Sequence, residues 1–162
     1  MNRGDRIENA GATANSWNGT SRLDGVRVLV VEGEPRVLEL VVDALGQFGA
    51  HVTAAGSAVE ALNILKQKNP DALVSSLSLP DKSGYWLIRE VRNLPPDQGG
   101  DVPAAAFTGW TDVENQRNAL RAGFQVHLSK PADLGKLAEV VALLSQKQSE
   151  AAQHRATNPW RR

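Results

Sequence analysis

Five short, mostly apolar runs alternate with five helix-forming segments through the middle of the chain. This alternation restricts the fold more than any other feature of the sequence. The runs cover residues 26–31, 51–55, 71–75, 102–107 and 124–129. The first run, VRVLVV, is β-branched and almost entirely apolar, which is typical of a strand buried on both faces. Strands separated by helices pair in parallel, and right-handed crossovers place the helices on both faces of the sheet. We therefore expect an α/β fold with three layers, a doubly wound sheet of five parallel strands in a (βα)5 arrangement.

The segments between these runs carry helix signals. The predicted helices cover residues 34–49, 57–68, 83–94, 112–123 and 132–146. Pro35 suits the first turn of the first helix, and Gly49 suits its end. Ser57, with Glu60 three residues later, has the spacing of a capping box, in which each residue satisfies a free backbone N–H group.

The two ends of the chain differ in composition from the middle. Residues 1–24 are rich in small polar residues and are predicted to form a flexible arm, and residues 146–162 are predicted to form a polar tail. Residues 25–145 then form one domain, which suits a chain that is 41% hydrophobic. The tail is interpreted as an extension of the last helix, or else Trp17 or Trp160 anchors a partner.

Composition excludes several classes of function. The 18 basic and 18 acidic residues balance, so the sequence does not favour binding to nucleic acid or to a membrane surface. Cysteine is absent, and the three histidines are far apart in the sequence, which argues against a metal cluster. The N-terminal segment lacks the apolar core of a signal peptide, and no apolar run reaches the roughly 20 residues of a membrane span. We expect a cytoplasmic protein that is not an enzyme, since no nucleophile–base pair is recognisable.

Polar residues follow four of the predicted strands. In a parallel sheet the functional site lies beyond the carboxyl ends of the strands. The residues at those ends are Glu32, Gly33 and Glu34 after the first strand, Ser76 after the third, Thr108, Gly109 and Trp110 after the fourth, and Ser129, Lys130 and Pro131 after the fifth.

The motifs VLVVEGEP, SLSLPDKSG, FTGW and LSKP occur in this order, and together they resemble the receiver domain of response regulators. The resemblance covers about residues 24–145. It implies a flavodoxin-like fold with strand order 2-1-3-4-5. Members of this family normally accept a phosphoryl group from a histidine kinase on an aspartate that ends the third strand. A magnesium ion is held there by that aspartate, by an acidic pair after the first strand and by a backbone carbonyl.

The resemblance assigns a role to most of the residues at the strand ends. Lys130 matches the lysine and Thr108 the hydroxyl residue that bind phosphoryl oxygens, and His127 matches a position that changes rotamer on activation. Ser76 stands at the phosphoacceptor position. Glu32 and Gly33 stand at the acidic pair, and Glu34 follows at a position that is often acidic but is not usually a metal ligand. The sequence thus departs from the family pattern at two of three carboxylates.

These departures change the expected chemistry. Magnesium needs oxygen ligands, and Glu32 would be the only clear carboxylate, so we predict that the magnesium site is lost and that no cofactor binds. A serine hydroxyl is a poor nucleophile without a base, so Ser76 is not expected to accept phosphate. We expect Lys130 to form an ion pair with Glu32 and to hydrogen-bond Ser76.

The sequence therefore predicts a phosphorylation-independent pseudo-receiver that binds a protein partner, such as a histidine kinase or another signalling protein. The resemblance implies pairing through the fourth helix, fifth strand and fifth helix, where a homodimer would form. The candidate interface residues are Trp110, Asp112, Glu114, Arg117, Arg121, Lys136 and Glu139.

Three alternatives remain open. In the first, the pocket binds a small ligand. In the second, the chain is a phosphoacceptor-deficient variant of an active receiver from a hybrid kinase, and the residues Glu32, Gly33 and Ser76 are either natural or engineered. In the third, Asp81 or Asp71 is the true phosphoacceptor; Asp71 opens a strand at the wrong end of the sheet, and Asp81 lies beyond Pro80.

Overall fold

The computed structural model describes residues 23–109, 113–130 and 133–157, with side chains described as far as residue 146. Within these ranges the chain forms five strands, five α-helices and a short 3-10 helix. The strands are β1 (Arg27–Val31), β2 (His51–Ala55), β3 (Ala72–Ser75), β4 (Ala104–Thr108) and β5 (Val126–Ser129). The helices are α1 (Pro35–Gln47), α2 (Ala58–Lys68), α3 (Gly84–Arg92), α4 (Val113–Ala122) and α5 (Leu134–Thr157), and the 3-10 helix is Pro96–Gln98.

The five strands form one parallel sheet in the order β2-β1-β3-β4-β5. β1 lies between β2 and β3, with Val31 opposite Ala55 on one side and Ser75 on the other. β3 pairs with β4, and β4 pairs with β5 up to Thr108 opposite Ser129. All of the strands therefore end at the same edge of the sheet. The predicted doubly wound (βα)5 fold with strand order 2-1-3-4-5 is confirmed.

The sheet separates two hydrophobic cores. Successive side chains of a strand point to opposite faces, so Leu29 packs in one core while Val28 and Val30 pack in the other. The first core lies under α2, α3 and α4, and the second lies under α1 and α5. Burial on both faces explains why β3 and β4 are apolar up to their last residues, Ser75 and Thr108, which are buried as well.

The predicted start of α2 is correct in part. The Ser57 side chain caps the helix by accepting a hydrogen bond from the Glu60 N–H at 3.3 Å. The Glu60 carboxylate, however, accepts from the Gly56 N–H at 3.2 Å, and the expected bond to the N–H of Ser57 is replaced by this one. The bond to the Ser57 side chain is thus the one predicted, whereas the bond to the Glu60 side chain comes from the residue before Ser57.

Two strands begin two residues later than predicted, while β1 and β3 begin one residue later. β4 begins at Ala104, after Pro103, which has no N–H group to donate to a neighbouring strand. β5 begins at Val126, because the backbone N–H of Phe124 donates to Ala119 and closes the end of α4. In both cases a local turn uses residues whose apolar character predicts a strand.

The two ends of the described chain also differ from the predicted boundaries. Leu23, predicted to belong to the flexible arm, is fully buried, and its N–H donates to the Phe48 carbonyl at 2.7 Å. The folded unit thus begins no later than Leu23, and residues 1–22 lie outside the described part. At the other end, α5 continues through the predicted tail to Thr157, while Trp160, like Trp17, lies outside the described residues. None of the helices described is both long and apolar enough to cross a membrane.

Candidate functional site

A shallow cleft lies at the carboxyl edge of the sheet, where the ends of β1, β3 and β5 meet. Its lining comes from three segments of the chain. These lining residues are Glu32, Gly33, Glu34, Ser76, Ser78, Leu79, Pro80 and Lys130. Because β1 pairs with β3, the central strand, the residues that follow these two strands lie side by side. The cleft thus brings together the residues predicted from the sequence after the first, third and fifth strands.

An ion pair between Lys130 and Glu32 forms the centre of the cleft. The Lys130 ammonium group contacts Oε2 of Glu32, as expected from the sequence. The Glu32 side chain is only 5% exposed and that of Lys130 is 24% exposed, so the pair is largely removed from water. The other oxygen of Glu32, Oε1, accepts a hydrogen bond from the Glu34 N–H at 3.1 Å. Lys130 Nζ also lies 5.2 Å from the centre of the Phe107 ring, within the range of a cation–π interaction.

Ser76 joins this ion pair through its hydroxyl group. The Oγ atom accepts a hydrogen bond from Lys130 Nζ at 3.3 Å and donates one to the carbonyl oxygen of Ser78 at 3.2 Å. The backbone N–H of Ser76 donates to the Val31 carbonyl at 2.8 Å, which fixes the residue beside the end of β1. Ser76 is buried. Its hydroxyl therefore connects the lysine to the loop that follows β3.

The loop after β3 forms one wall of the cleft and packs against residue 33. A Cβ atom added to Gly33 would lie 2.9 Å from Cδ of Pro80, closer than side chains normally approach. The Pro80 ring thus fills the space that a side chain at position 33 would need. At the end of the loop, the N–H of Gly84 donates to the Leu77 carbonyl at 2.8 Å.

Asp81, one of the two alternative phosphoacceptors, is not part of the cleft lining. Its carboxylate accepts hydrogen bonds from the N–H groups of Ala58 at 2.9 Å and Val59 at 3.0 Å, in the first turn of α2. Desolvation raises the pKa of Asp81, but the hydrogen bonds from the Val59 and Ala58 backbone outweigh it and lower the pKa to about 2. Asp71, the other alternative, lies at the opposite end of the sheet, where it contacts Arg27 at the start of β1.

The remaining strand-end residues lie around the cleft. The backbone carbonyl of Thr108 accepts a hydrogen bond from the Lys130 N–H at 2.7 Å, and the Thr108 side chain is buried. His127 lies in β5, opposite Ala106 of β4, and is half-buried. The structure thus fixes the backbone of Lys130 against β4. The switch role assigned to Thr108 and His127 stays a prediction.

Of the predicted interface residues, Glu114, Arg117 and Arg121 belong to α4, and Lys136 and Glu139 belong to α5. Arg117 and Arg121 are exposed on α4, Lys136 is exposed on α5, and Glu139 is half-buried. Trp110 and Asp112 lie outside the described residues. Three exposed apolar side chains belong to the same two helices: Val113, Leu120 and Leu143.

Four residues shape the site in ways that the sequence did not predict: Phe107, Ser78, Pro80 and Asp81. Phe107 belongs to an apolar strand, and nothing in that pattern indicates a contact with a lysine. Ser78 contributes only its backbone carbonyl, which any residue would supply. Asp81 was considered only as a phosphoacceptor; its hydrogen bonds go to the first turn of α2 and not to the helix that follows it, and the local sequence carries no signal for that contact.

Comparison with known proteins identifies the fold family. Residues 28–142 match the model of the response regulator receiver domain, which covers most of the chain. The chain belongs to this family. It is thus a receiver domain of two-component signalling with the flavodoxin-like fold that the resemblance implied.

The relatives differ in how much of their own length the match covers. The chain is 40% identical over 114 residues to an uncharacterized 14.6 kDa protein in the sodA1 3′ region of Leptolyngbya boryana, covering 70% of this chain and 86% of that protein. It is 30% identical over 124 residues to the sensor histidine kinase RcsC of Salmonella typhi, covering 76% of this chain but only 13% of RcsC.

A solved structure with the same fold is the receiver domain of the sensor histidine kinase PA1611 from Pseudomonas aeruginosa PAO1. It is 26% identical, with a TM-score of 0.69, and the match covers 75% of this chain and 98% of that one. That receiver has a magnesium ion coordinated in its active-site cleft.

Proposed function

We propose that this chain is a receiver that signals without phosphorylation, as a protein-interaction module with no catalytic activity of its own. The observation that supports this proposal is the set of polar contacts among the side chains of the cleft. Lys130, Glu32 and Ser76 satisfy one another, and a phosphoryl group or a metal would have to compete with these contacts. In this proposal Ser76 stands at the position where an active receiver has its phosphoacceptor aspartate.

The residues of the cleft do not fit a magnesium ion. Magnesium prefers octahedral oxygen coordination with one or two carboxylates. Here Gly33 offers no side-chain ligand, and the carboxylate of Glu32 already contacts Lys130 and the Glu34 N–H. The Ser78 carbonyl accepts the Ser76 hydroxyl, so this oxygen is also engaged. We infer that no magnesium site of useful affinity exists here.

The Ser76 hydroxyl is also poorly placed to act as a nucleophile. A serine becomes nucleophilic when a neighbouring base removes its proton. The proton of Ser76 is directed to a backbone carbonyl, which is not a base, and its oxygen accepts from a protonated lysine. Both contacts hold the hydroxyl as a hydrogen-bonding group, which agrees with a structural role in the cleft.

Output through binding would use the face formed by α4, β5 and α5. This face presents Arg117 and Arg121 on one helix and Lys136 and Glu139 on the other, with Leu120 exposed beside the arginines. Charges of both signs can pair reciprocally across a two-fold axis, which suits a homodimer or a signalling partner such as a histidine kinase.

The phosphorylation test uses intact mass spectrometry after incubation with a small phosphodonor and magnesium. An active receiver treated in parallel is the positive control. We expect no mass increase for this chain, and we expect beryllofluoride with magnesium to leave its tryptophan fluorescence unchanged. A magnesium-dependent gain of one phosphoryl group would refute the proposal, and a Ser76→Ala variant would then show whether Ser76 carries the group.

The interaction face is tested separately by light scattering on a size-exclusion column. If the face forms a homodimer, Arg117→Glu and Arg121→Glu should each lower the measured mass towards that of a monomer. Arg36→Glu, an exposed arginine on α1, is the matched control. A dimer that survives both changes on α4 would place the contact elsewhere.

A further inference from the structure

The loop after β3 is held by hydrogen bonds to Ser76 and to the start of α2, and the second set indicates a role for Asp81 in shaping the cleft. Residues 78–80 form the cleft wall, and Asp81, which follows them, contacts the first turn of α2. At the near side, the Ser78 carbonyl accepts the Ser76 hydroxyl. At the far side, both carboxylate oxygens of Asp81 accept backbone N–H groups of α2. We call this second attachment the Asp81 bridge.

We infer that Asp81 is a positioning residue, which holds the Pro80 ring against Gly33 through the Asp81 bridge and so fixes the width of the cleft. The inference deepens the proposed function, because it explains what maintains the cleft in one shape without phosphate or metal.

The first step of the argument is the geometry of the bridge. Asp81 directly follows Pro80, whose ring fixes its own φ angle, so that only a few backbone torsions separate the ring from the Asp81 carboxylate. Its two oxygens bond two successive N–H groups, at 2.9 Å to Ala58 and 3.0 Å to Val59. Two bonds from one carboxylate define its orientation as well as its position. A displacement of Pro80 away from the cleft would therefore stretch or break the bridge.

The second step is the contact between Pro80 and Gly33. The absence of a side chain at position 33 lets the proline ring lie where a Cβ atom would approach it within 2.9 Å. The atom concerned, Cδ, is bonded to the backbone nitrogen of Pro80, so it moves only if the loop moves. A residue with a side chain at position 33 therefore requires the loop to shift, and the Asp81 bridge resists that shift.

The third step separates the bridge from ordinary helix capping. Ser57 already caps the same helix by accepting from Glu60 N–H, so α2 has an N-cap without Asp81. Asp81 is distant in sequence from its two donors, and its bonds tie the cleft wall to the helix. Loss of Ser57 should loosen the helix start alone, whereas loss of Asp81 should also release the loop.

The decisive experiment is a double-mutant cycle between positions 33 and 81, measured by urea unfolding. Gly33→Ala is expected to lower the urea midpoint, because its Cβ must displace Pro80. In an Asp81→Ala background the loop can move, so the shift caused by Gly33→Ala should fall to half or less. Ser57→Ala is the matched control, in which the shift caused by Gly33→Ala should stay at its full size. Equal shifts in all three backgrounds would refute the inference.

Amide hydrogen exchange supplies a second readout that a purely structural cap would not change. Asp81→Ala should increase exchange at least tenfold at the Gly84 N–H, which closes the loop by donating to the Leu77 carbonyl, and in the first turn of α2, and Ser57→Ala should affect only the helix. If Asp81→Ala does not fold, Asp81→Asn keeps one acceptor oxygen and should give a smaller increase in the loop. Loop protection that is unchanged in the folded variant would also refute the inference.

These outcomes are independent of the phosphorylation test. A mass gain with a phosphodonor would remove the proposed function and leave the coupling between positions 33 and 81 intact. Additive mutations would remove the coupling and leave the phosphorylation result unaffected.

Discussion

Replacement of Lys130 by methionine tests the network at the centre of the cleft. Methionine preserves much of the length and apolar stem of lysine, so the packing near Phe107 is largely retained while the charge is removed. Glu32 would then keep a nearly buried carboxylate without its cationic partner. Breaking a buried ion pair in this way costs about 3–5 kcal/mol. Because the Lys130 side chain is 24% exposed, we expect a smaller loss of about 2–3 kcal/mol.

The assay is urea unfolding followed by circular dichroism. With a slope of about 1.5 kcal/mol per molar urea, the loss corresponds to a midpoint lower by about 1–2 M. Lys136→Met, at an exposed lysine on α5, should shift the midpoint much less. The double variant Glu32→Gln with Lys130→Met should recover part of the stability, because the uncompensated carboxylate is gone. A Lys130→Met shift no larger than that of Lys136→Met would refute the view that the ion pair is coupled to the fold.

Two further changes test contacts outside the network. Asp81 has a folded pKa of about 2 against an ordinary value of 3.8, so its contribution to stability is complete above pH 5 and disappears as the pH falls through 2. Asp81→Asn should therefore be less stable than the parent at pH 7. Acid titration by circular dichroism should show that this difference in stability between variant and parent disappears between pH 5 and 2. A difference that stays constant with pH would contradict the assignment to the ionised Asp81 carboxylate. The Arg92 guanidinium donates hydrogen bonds to the carbonyls of Gly100 and Gly123. Arg92→Ala should therefore lower the free energy of unfolding, measured by thermal denaturation, by about 2–3 kcal/mol. Arg89→Ala, at an exposed position of α3, should lower it little.

The order of elements was predictable because the three inner strands, β1, β3 and β4, are almost fully buried and so are mostly apolar, and helix signals separate the five runs. Periodicity fails where a local turn competes for the same residues. Pro103 delays β4, and the closure of α4 by Phe124 delays β5. Where these two strands begin depends on local backbone geometry and individual hydrogen bonds, which the pattern of apolar residues does not reveal.

The contacts of the candidate site were predictable where the topology dictated them. Lys130 and Glu32 follow strands that end at one edge, so a cation and a carboxylate were expected to meet there. The bridge from Asp81 to α2 was missed because it depends on how far the loop after β3 reaches across the sheet. Outside the site, the contacts of Arg92 were also not predicted, because its partners are backbone carbonyls, one in the following loop at Gly100 and one far along the chain at Gly123.

The length of α5 has a directional consequence. The helix is seated by Leu137, Val141 and Leu144 in the second core and then continues to Thr157. The residues from 146 to 157 add about 18 Å of axis at 1.5 Å per residue. A partner bound to this distal part would be held at a fixed angle about the helix axis, set by the seated half. Inserting one residue near Gln146 would turn that partner by about 100°, whereas inserting seven would almost restore its direction. The direction in which such a partner would face, and not only its distance from the domain, would thus be determined by how the first half of α5 packs against the sheet.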